Sequence, residues 1–323
     1  MVLTQFSDSQ SQTPGQARPL NLNRDVPEVM QLLRLVFSAT LDADGRRALN
    51  SMSTTPTTLL RLNQFASGTT PGFVWEIDGK IVGNISIIPT RHRNRTIIAN
   101  VAVHPDNRRQ GIALALMQTA LQYLSDRRVE TVMLQVDVGN DGARRLYEQL
   151  GFAWLGAMTA WRANSLQWKV IETEEKYTIR PLRSGEARTA FAIDTTCVNR
   201  ELCWPEPLRE DTYRLGWFRR LDNMFSGKQF EAWTIPSKEG VPLAVAKISG
   251  EWGRPHRITL RVPDQWQNEL TRPLFAKLLR RLRFLRQRSV IIEHPHDDVL
   301  MNALLREANF RPKRTLGTMK LEI

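Results

Sequence analysis

Arg18-Pro19-Leu20 and the helical stretch 25–37 recur as Arg180-Pro181-Leu182 and the stretch 184–193. The echo runs on in the same order. Segments 73–77 and 81–88 flank Asp78-Gly79, a dipeptide that favours a tight hairpin turn, and segments 230–235 and 241–249 flank Lys238-Glu239-Gly240. The β-branched run 96–103 is answered by 257–262, the leucine-rich helical stretch 114–124 by 274–285, and the apolar run 132–138 by 290–293. The helical stretch 143–150 ending in Gly151-Phe152 is answered by 300–308 ending in Asn309-Phe310. A repeat on this scale implies two copies of one α/β unit. The length of 323 residues suffices for two cores. Polar residues Glu172-Thr173-Glu174-Glu175-Lys176 suit a joint between the copies. The expected division is a flexible tail over 1–16, a first domain over 17–167, a linker over 168–176 and a second domain over 177–323.

In the first copy, the run TIIANVAV at 96–103 has strand character and is stopped by His104-Pro105-Asp106-Asn107. Leu114, Met117, Leu121 and Leu124 then recur at helical spacing. Between strand and helix stands Arg108-Arg109-Gln110-Gly111-Ile112-Ala113. The first N–H groups of a helix have no intrahelical acceptor and carry partial positive charge. Gly111 and Ala113 are too small to screen them, so the turn can cradle a phosphate.

A basic residue, two further positions, Gly, one position and a small residue resemble the acyl-CoA pyrophosphate loop of the GNAT superfamily of N-acyltransferases. Arg108, Gly111 and Ala113 fill that pattern. The segment 140–152, with Asn140, Ala143, Tyr147 and Gly151-Phe152, is similar to the family's second motif position by position. The resemblance implies tandem GNAT-like domains of the α/β class, each a central mixed, mostly antiparallel sheet flanked by helices. It also implies an acetyl-CoA-dependent N-acyltransferase in which an amine attacks the thioester directly. Backbone groups of Val101, Ala102 and Val103 would meet the pantetheine arm and the carbonyl oxygen. Arg108, Arg109, Gln110, Gly111, Ile112 and Ala113 would hold the pyrophosphate, and Asn140 would touch the pantetheine. Tyr147 would serve as the acid for the departing thiolate, since a phenol can donate to sulfur.

The general base has no direct candidate. Where family members carry a carboxylate, this chain has Asn100 on one strand and Gln135 on the next. Asp137 and Glu76 could act through water. The alternative to an enzyme is a non-catalytic acyl-CoA-responsive binding protein with a basic partner-binding second half.

The second copy departs from the pattern at the same places. No glycine lies between Gly253 and Gly317, and Gln265-Trp266-Gln267-Asn268-Glu269-Leu270-Thr271-Arg272 replaces the phosphate turn. Aligning Phe310 with Phe152 sets Leu305 opposite Tyr147 and Asp298 opposite Asn140. This copy should not bind CoA in the family's manner and is expected to complete the fold and shape the acceptor cleft, with the Trp-rich segment 203–218 as a wall.

The formal charge of +12 is uneven, with 28 Lys/Arg against 20 Asp/Glu in residues 166–323. Lys277, Arg280, Arg281, Arg283, Arg286 and Arg288 interleave with Leu274, Leu278, Leu282 and Leu285, which reads as a helix with a basic outer face. A solvated face is the expectation; a nucleic acid, an acidic protein or steering of the anionic cofactor toward its cleft are the alternatives. Cys197 and Cys203 lack metal-ligand companions and read as structural thiols. His104 reads as a turn residue. His294-Pro295-His296 lacks further ligands at metal spacing, and Asp297 or Asp298 reads as a helix cap. No metal is expected. No apolar run has membrane-spanning length and residues 1–16 lack a secretory pattern, so the expected setting is cytoplasmic, with no membrane partner.

Overall fold

The computed structural model describes residues 15–37, 71–90, 94–165, 167–203, 210–213 and 229–323. Segments 204–209 and 214–218 of the expected Trp-rich wall lie outside them. Among the described residues no helix is long and apolar enough to cross a membrane.

Contacts divide the chain into two units that do not follow chain order. The first gathers residues 1–135, 142–153 and 319–323; the second gathers 136–141 and 154–318.

The first unit is built on β1 (Gln16–Pro19), β2 (Gly72–Ile77), β3 (Lys80–Pro89), β4 (Arg95–Val103) and β5 (Thr131–Asp137), side by side in that order. The pairs are antiparallel except β4 with β5. Asp78 and Gly79 join β2 to β3 with φ of +48° and +76°, the left-handed pair that a tight hairpin requires. Helix α1 (Val26–Phe37) lays Val29, Met30, Leu32 and Leu33 against Val74, Ile81 and Ala102. Helix α2 (Ile112–Ser125) crosses β3 so closely that a Cβ on Gly83 would stand 3.0 Å from the side chains of Ile112 and Leu116. The missing side chain of Gly83 therefore fixes where α2 begins. Helix α3 (Asp141–Gln149) follows β5 and buries one residue, Tyr147.

The second unit repeats this plan with β7 (Arg180–Pro181), β8 (Gln229–Pro236), β9 (Pro242–Gly250), β10 (His256–Arg261) and β11 (Val290–Pro295), again antiparallel except for the pair β10 and β11. Helix α5 (Gln267–Leu282) buries Leu270, Leu274, Phe275, Leu278 and Leu279 in its largest core, and α6 (Val299–Glu307) adds Met301, Leu304 and Leu305. On a separate cluster, α4 (Ala187–Cys197) meets Leu182, Tyr213, Ala232 and Val245.

Two long strands complete the picture and were not expected from the sequence. Strand β6 (Ala153–Ala163) leaves the first copy and pairs antiparallel with β11, from Val290↔Ala163 to Pro295↔Met158. Strand β12 (Arg311–Glu322) gives its last residues to the first unit, where Ile323 N donates to Glu130 O at 2.9 Å and Thr131 Oγ1 to Glu322 Oε2 at 2.9 Å. Each copy thus surrenders strand residues to the other unit. A fragment of residues 1–167 lacks the segment that closes this edge, including the fully buried Met319. Loss of one buried methionine's packing alone costs about 2–5 kcal/mol. The fragment is expected to aggregate or to retain weak activity, as judged by size-exclusion chromatography and turnover; a soluble, fully active fragment would show that the exchanged strand is dispensable.

The basic helix face is also changed by its surroundings. Arg281 donates to both oxygens of Glu231 at 2.7 and 2.8 Å, Arg280 to Glu175 at 3.1 Å, and Arg272 to Glu307 at 2.7 Å. Lys277 and Arg283 extend the row, but its centre is an array of ion pairs rather than unopposed positive charge.

Candidate functional site

Pairing between β4 and β5 runs from Arg95↔Thr131 to Ile98↔Leu134 and goes no further. Residues 99–103 therefore have no ladder partner on that side. On the other side β4 remains joined to β3, but with a bulge: Asn84 is opposite Ala102 and Ser86 opposite Ala99, so Asn100 and Val101 together face Ile85. Asn100 takes φ of +52°, a left-handed conformation that Asn adopts more readily than β-branched residues do. Polar side chains hold the bulge. Asn84 Nδ2 donates to Asn100 O at 2.9 Å and Asn100 Nδ2 donates to Ser86 Oγ at 3.2 Å. Asn84 is fully buried, and its Oδ1 has no hydrogen-bond partner. The carbonyls and amides of Val101 to Val103 are thus presented from a bent, supported strand end, as strand addition to an extended ligand requires.

Past Val103, His104 opens a short 3₁₀ turn (Pro105–Asn107), its Nδ1 accepting from Asp106 N at 3.4 Å. This is the turn role read from the sequence. Arg108 follows in extended conformation, with Nε donating to Val103 O at 3.4 Å. Arg109 is left-handed at φ +61°, and Gly111, at φ +81°, is the N-cap of α2 with no side-chain cap. Arg108, Arg109, Gln110 and Gly111 are exposed, Ala113 is half-buried, and Ile112 is buried and anchors the helix start. The arrangement leaves the first-turn amides open to an anion between two guanidinium-bearing residues.

Tyr147 lies on α3 at 6% exposure, its ring 6.0 Å from that of Phe152 between centroids. Burial pushes the phenol up to about 12. The group is therefore protonated throughout the neutral range and able to donate.

Other sequence candidates take structural partners. Glu76 Oε2 accepts from Arg18 Nε at 2.6 Å and lies near Arg24 as well. Asp137 Oδ1 accepts from Gly139 N at 3.1 Å, and its Oδ2 stands 3.7 Å from Arg314 Nε. Asn140 is exposed, with its amide on Asp137 O at 2.8 Å, and falls with Asp137 in the segment 136–141 of the second unit. The two imidazoles of the His-Pro-His run diverge: His294 Nε2 meets Asp298 Oδ2 at 2.7 Å and His296 Nδ1 meets Thr159 Oγ1 at 3.0 Å. Asp298 caps α6 by accepting from Met301 N at 2.9 Å, as expected. Cys197 and Cys203 are free and half-buried, and burial pushes both thiols up, that of Cys197 to about 12. Neither is a reactive thiolate at neutral pH.

Sequence reading missed the bulge. Its signals were Asn100 interrupting a β-branched run and Asn84 in the facing strand, both polar residues in otherwise apolar segments.

Residues 39–152 match the acetyltransferase (GNAT) family. An uncharacterized N-acetyltransferase of Methanocaldococcus jannaschii is 35% identical over 94 residues, which are 28% of this chain and 42% of that protein. A ribosomal protein bS18-alanine N-acetyltransferase of Escherichia coli is 45% identical over 53 residues, 16% of this chain and 36% of that protein. The chain thus spans less than half the length of these relatives. Two solved structures share the fold over nearly the whole chain. A GCN5-related N-acetyltransferase from Sphaerobacter thermophilus has a TM-score of 0.60 at 18% identity, covering 95% of both chains. A tandem GNAT protein from the clavulanic acid biosynthesis pathway has a TM-score of 0.52 at 16% identity, covering 95% of this chain and 98% of that one.

Proposed function

We propose, starting from the GNAT acetyltransferase-family domain carried by residues 39–152, that this chain moves an acetyl group from acetyl-CoA to an amine. The observation that carries the reading is the joint occurrence of a strand end, residues 99–103, left unpaired on its β5 side and an uncapped helix start at Gly111. The first offers backbone hydrogen bonds to the amide-rich pantetheine arm. The second offers amides and the charges of Arg108 and Arg109 to the pyrophosphate. No step requires a metal, because attack of an amine on a thioester needs only oxyanion donors, an acid for sulfur and an outlet for a proton.

In this reading the amine arrives neutral and attacks the thioester carbonyl, the resulting oxyanion is held by backbone N–H groups of the bulged strand, and the intermediate collapses with expulsion of the CoA thiolate. Tyr147 donates a hydrogen bond to that thiolate, which takes its proton from solvent. Its elevated affinity for the proton makes it a hydrogen-bond donor at all stages of the cycle rather than a group that must be reprotonated. With Glu76 and Asp137 engaged by arginines, the amine's proton leaves through solvent rather than through a dedicated carboxylate base. The setting proposed is the cytoplasm, where acetyl-CoA is available.

The test is a CoA-release screen of purified full-length protein with acetyl-CoA against small metabolite amines, aminoglycoside-type amines and peptide N-termini. Amine-dependent release of CoA is expected from one class. Binding of acetyl-CoA without release to any class would leave a binding protein and remove the transferase reading.

A further inference from the structure

The second unit keeps the wedge of the first without its phosphate turn. Strands β10 and β11 pair from His256↔Val290 to Ile258↔Ile292 and then part, as β4 and β5 do. A cavity of about 430 Å³ lies where they part, lined by Leu260 and Arg261 from β10, Val262 just after it, His294 and Pro295 from β11, and Thr271 from α5. Its size falls within the range of small-molecule sites, roughly 300–1,000 Å³. Acyl-CoA is a poor fit. Pro263 runs through a 3₁₀ turn (Asp264–Trp266) directly into α5, and Asp264 and Glu269 place negative charge where a pyrophosphate would need donors.

Two buried polar groups on the wall lack partners. Thr271, at 4% exposure, has an Oγ1 with no hydrogen bond, and His294, at 7%, has an unpartnered Nδ1. A carboxylate only accepts, so His294 Nε2 donates to Asp298, and in the unprotonated ring Nδ1 is then the acceptor. Buried groups of this kind are costly unless something completes them. Behind the lining residue Arg261 lies a buried charge cluster. Arg261 Nε donates to Asp194 Oδ1 at 2.6 Å and Lys247 Nζ stands 3.6 Å from Asp194 Oδ2, while Tyr213 donates to that same oxygen at 2.6 Å. Among the described residues, this buried carboxylate thus faces the Arg261 guanidinium and the Lys247 amine, whose charged form burial disfavours. At the mouth, Asp264 and Asp297 are exposed.

We propose that this cavity is a binding site for a small zwitterion of the free amino-acid class. Its carboxylate sits on the Arg261 guanidinium and the Thr271 hydroxyl, completing the charge that Asp194 leaves unbalanced. Its ammonium donates to His294 Nδ1 and faces Asp264 and Asp297. The wedge that serves the cofactor in one copy therefore serves a different, smaller ligand in the other.

The experiment is calorimetry and thermal unfolding of the full chain with each of the standard free amino acids at millimolar concentration, with propionate and propylamine as single-charge controls. At least one amino acid should bind with one site per chain and raise the melting temperature, and each control should bind at least about tenfold more weakly. Thr271→Val should leave the melting temperature of the unliganded protein unchanged or higher, because it removes an unpaired hydroxyl. The same change should weaken amino-acid binding about tenfold. Asp297→Asn, at an exposed rim position, should weaken binding without altering the fold. No binding by any amino acid, equal binding by a control, or unchanged affinity in Thr271→Val would overturn the proposal. All readouts are independent of acetyl transfer, so the outcome stands apart from that of the transferase screen.

Discussion

Replacing Gly111 by Glu should weaken acetyl-CoA binding by more than about a hundredfold, the equivalent of roughly 3 kcal/mol. Two costs combine at this position. Gly111 holds φ of +81° at the start of α2, where a side chain costs about 1–2 kcal/mol in backbone strain. A carboxylate there also repels a pyrophosphate and covers the first-turn amides. Gly111→Ala separates the two, since it carries the strain without the charge and should show an intermediate loss. Calorimetry on the full chain should find one CoA site in the unsubstituted protein and none in Gly111→Glu, with the melting temperature reporting any loss of fold. Two equivalent CoA sites, or a Gly111→Glu variant with full affinity, would refute the assignment of the cofactor to the first unit.

Tyr147→Phe should lower kcat about a hundredfold while leaving the affinity for acetyl-CoA nearly unchanged. The ring is buried against Phe152, and Phe retains that packing, so the variant loses only the hydroxyl. The pH profile gives a second readout. Because burial raises the phenol to about 12, its proton is present below that pH and is lost only above it. Tyr147 should therefore contribute no fall in rate on the alkaline side up to about pH 10, two units below that value. An unchanged kcat would leave Tyr147 as a packing residue. An alkaline limb that disappears in the Phe variant would show that the phenol titrates lower than its burial implies.

Much of this architecture was legible in the residues. Asp78-Gly79 announced its hairpin because a tight turn demands left-handed backbone from two consecutive residues. The helix after Gly111 was legible from leucine spacing, and its uncapped start from the absence of any side chain at Gly111 able to accept from the helix amides. Asp298 could be read as a cap for the complementary reason. The bulge was harder to see. Asn100 signals left-handed tolerance but does not say that a residue will be extra, because that depends on how Asn84 and Ser86 on the facing strand are registered.

The sequence by itself determined the duplication, most of the order of strands and helices within each copy, and the place of the glycine turn that opens α2. Those features follow from side-chain period, backbone conformational preference and capping, which act over a few residues. Only the tertiary structure decided that β6 pairs with β11 and that residues 319–323 belong with the first unit. It alone placed Glu231 and Glu175 against the arginines of α5, and left Thr271 Oγ1 and His294 Nδ1 without partners beside a cavity. These outcomes join residues far apart in the chain. Strand edges accept any backbone, and arginine pairs with any carboxylate within reach, so the choice of partner is fixed by packing of the whole rather than by local pattern.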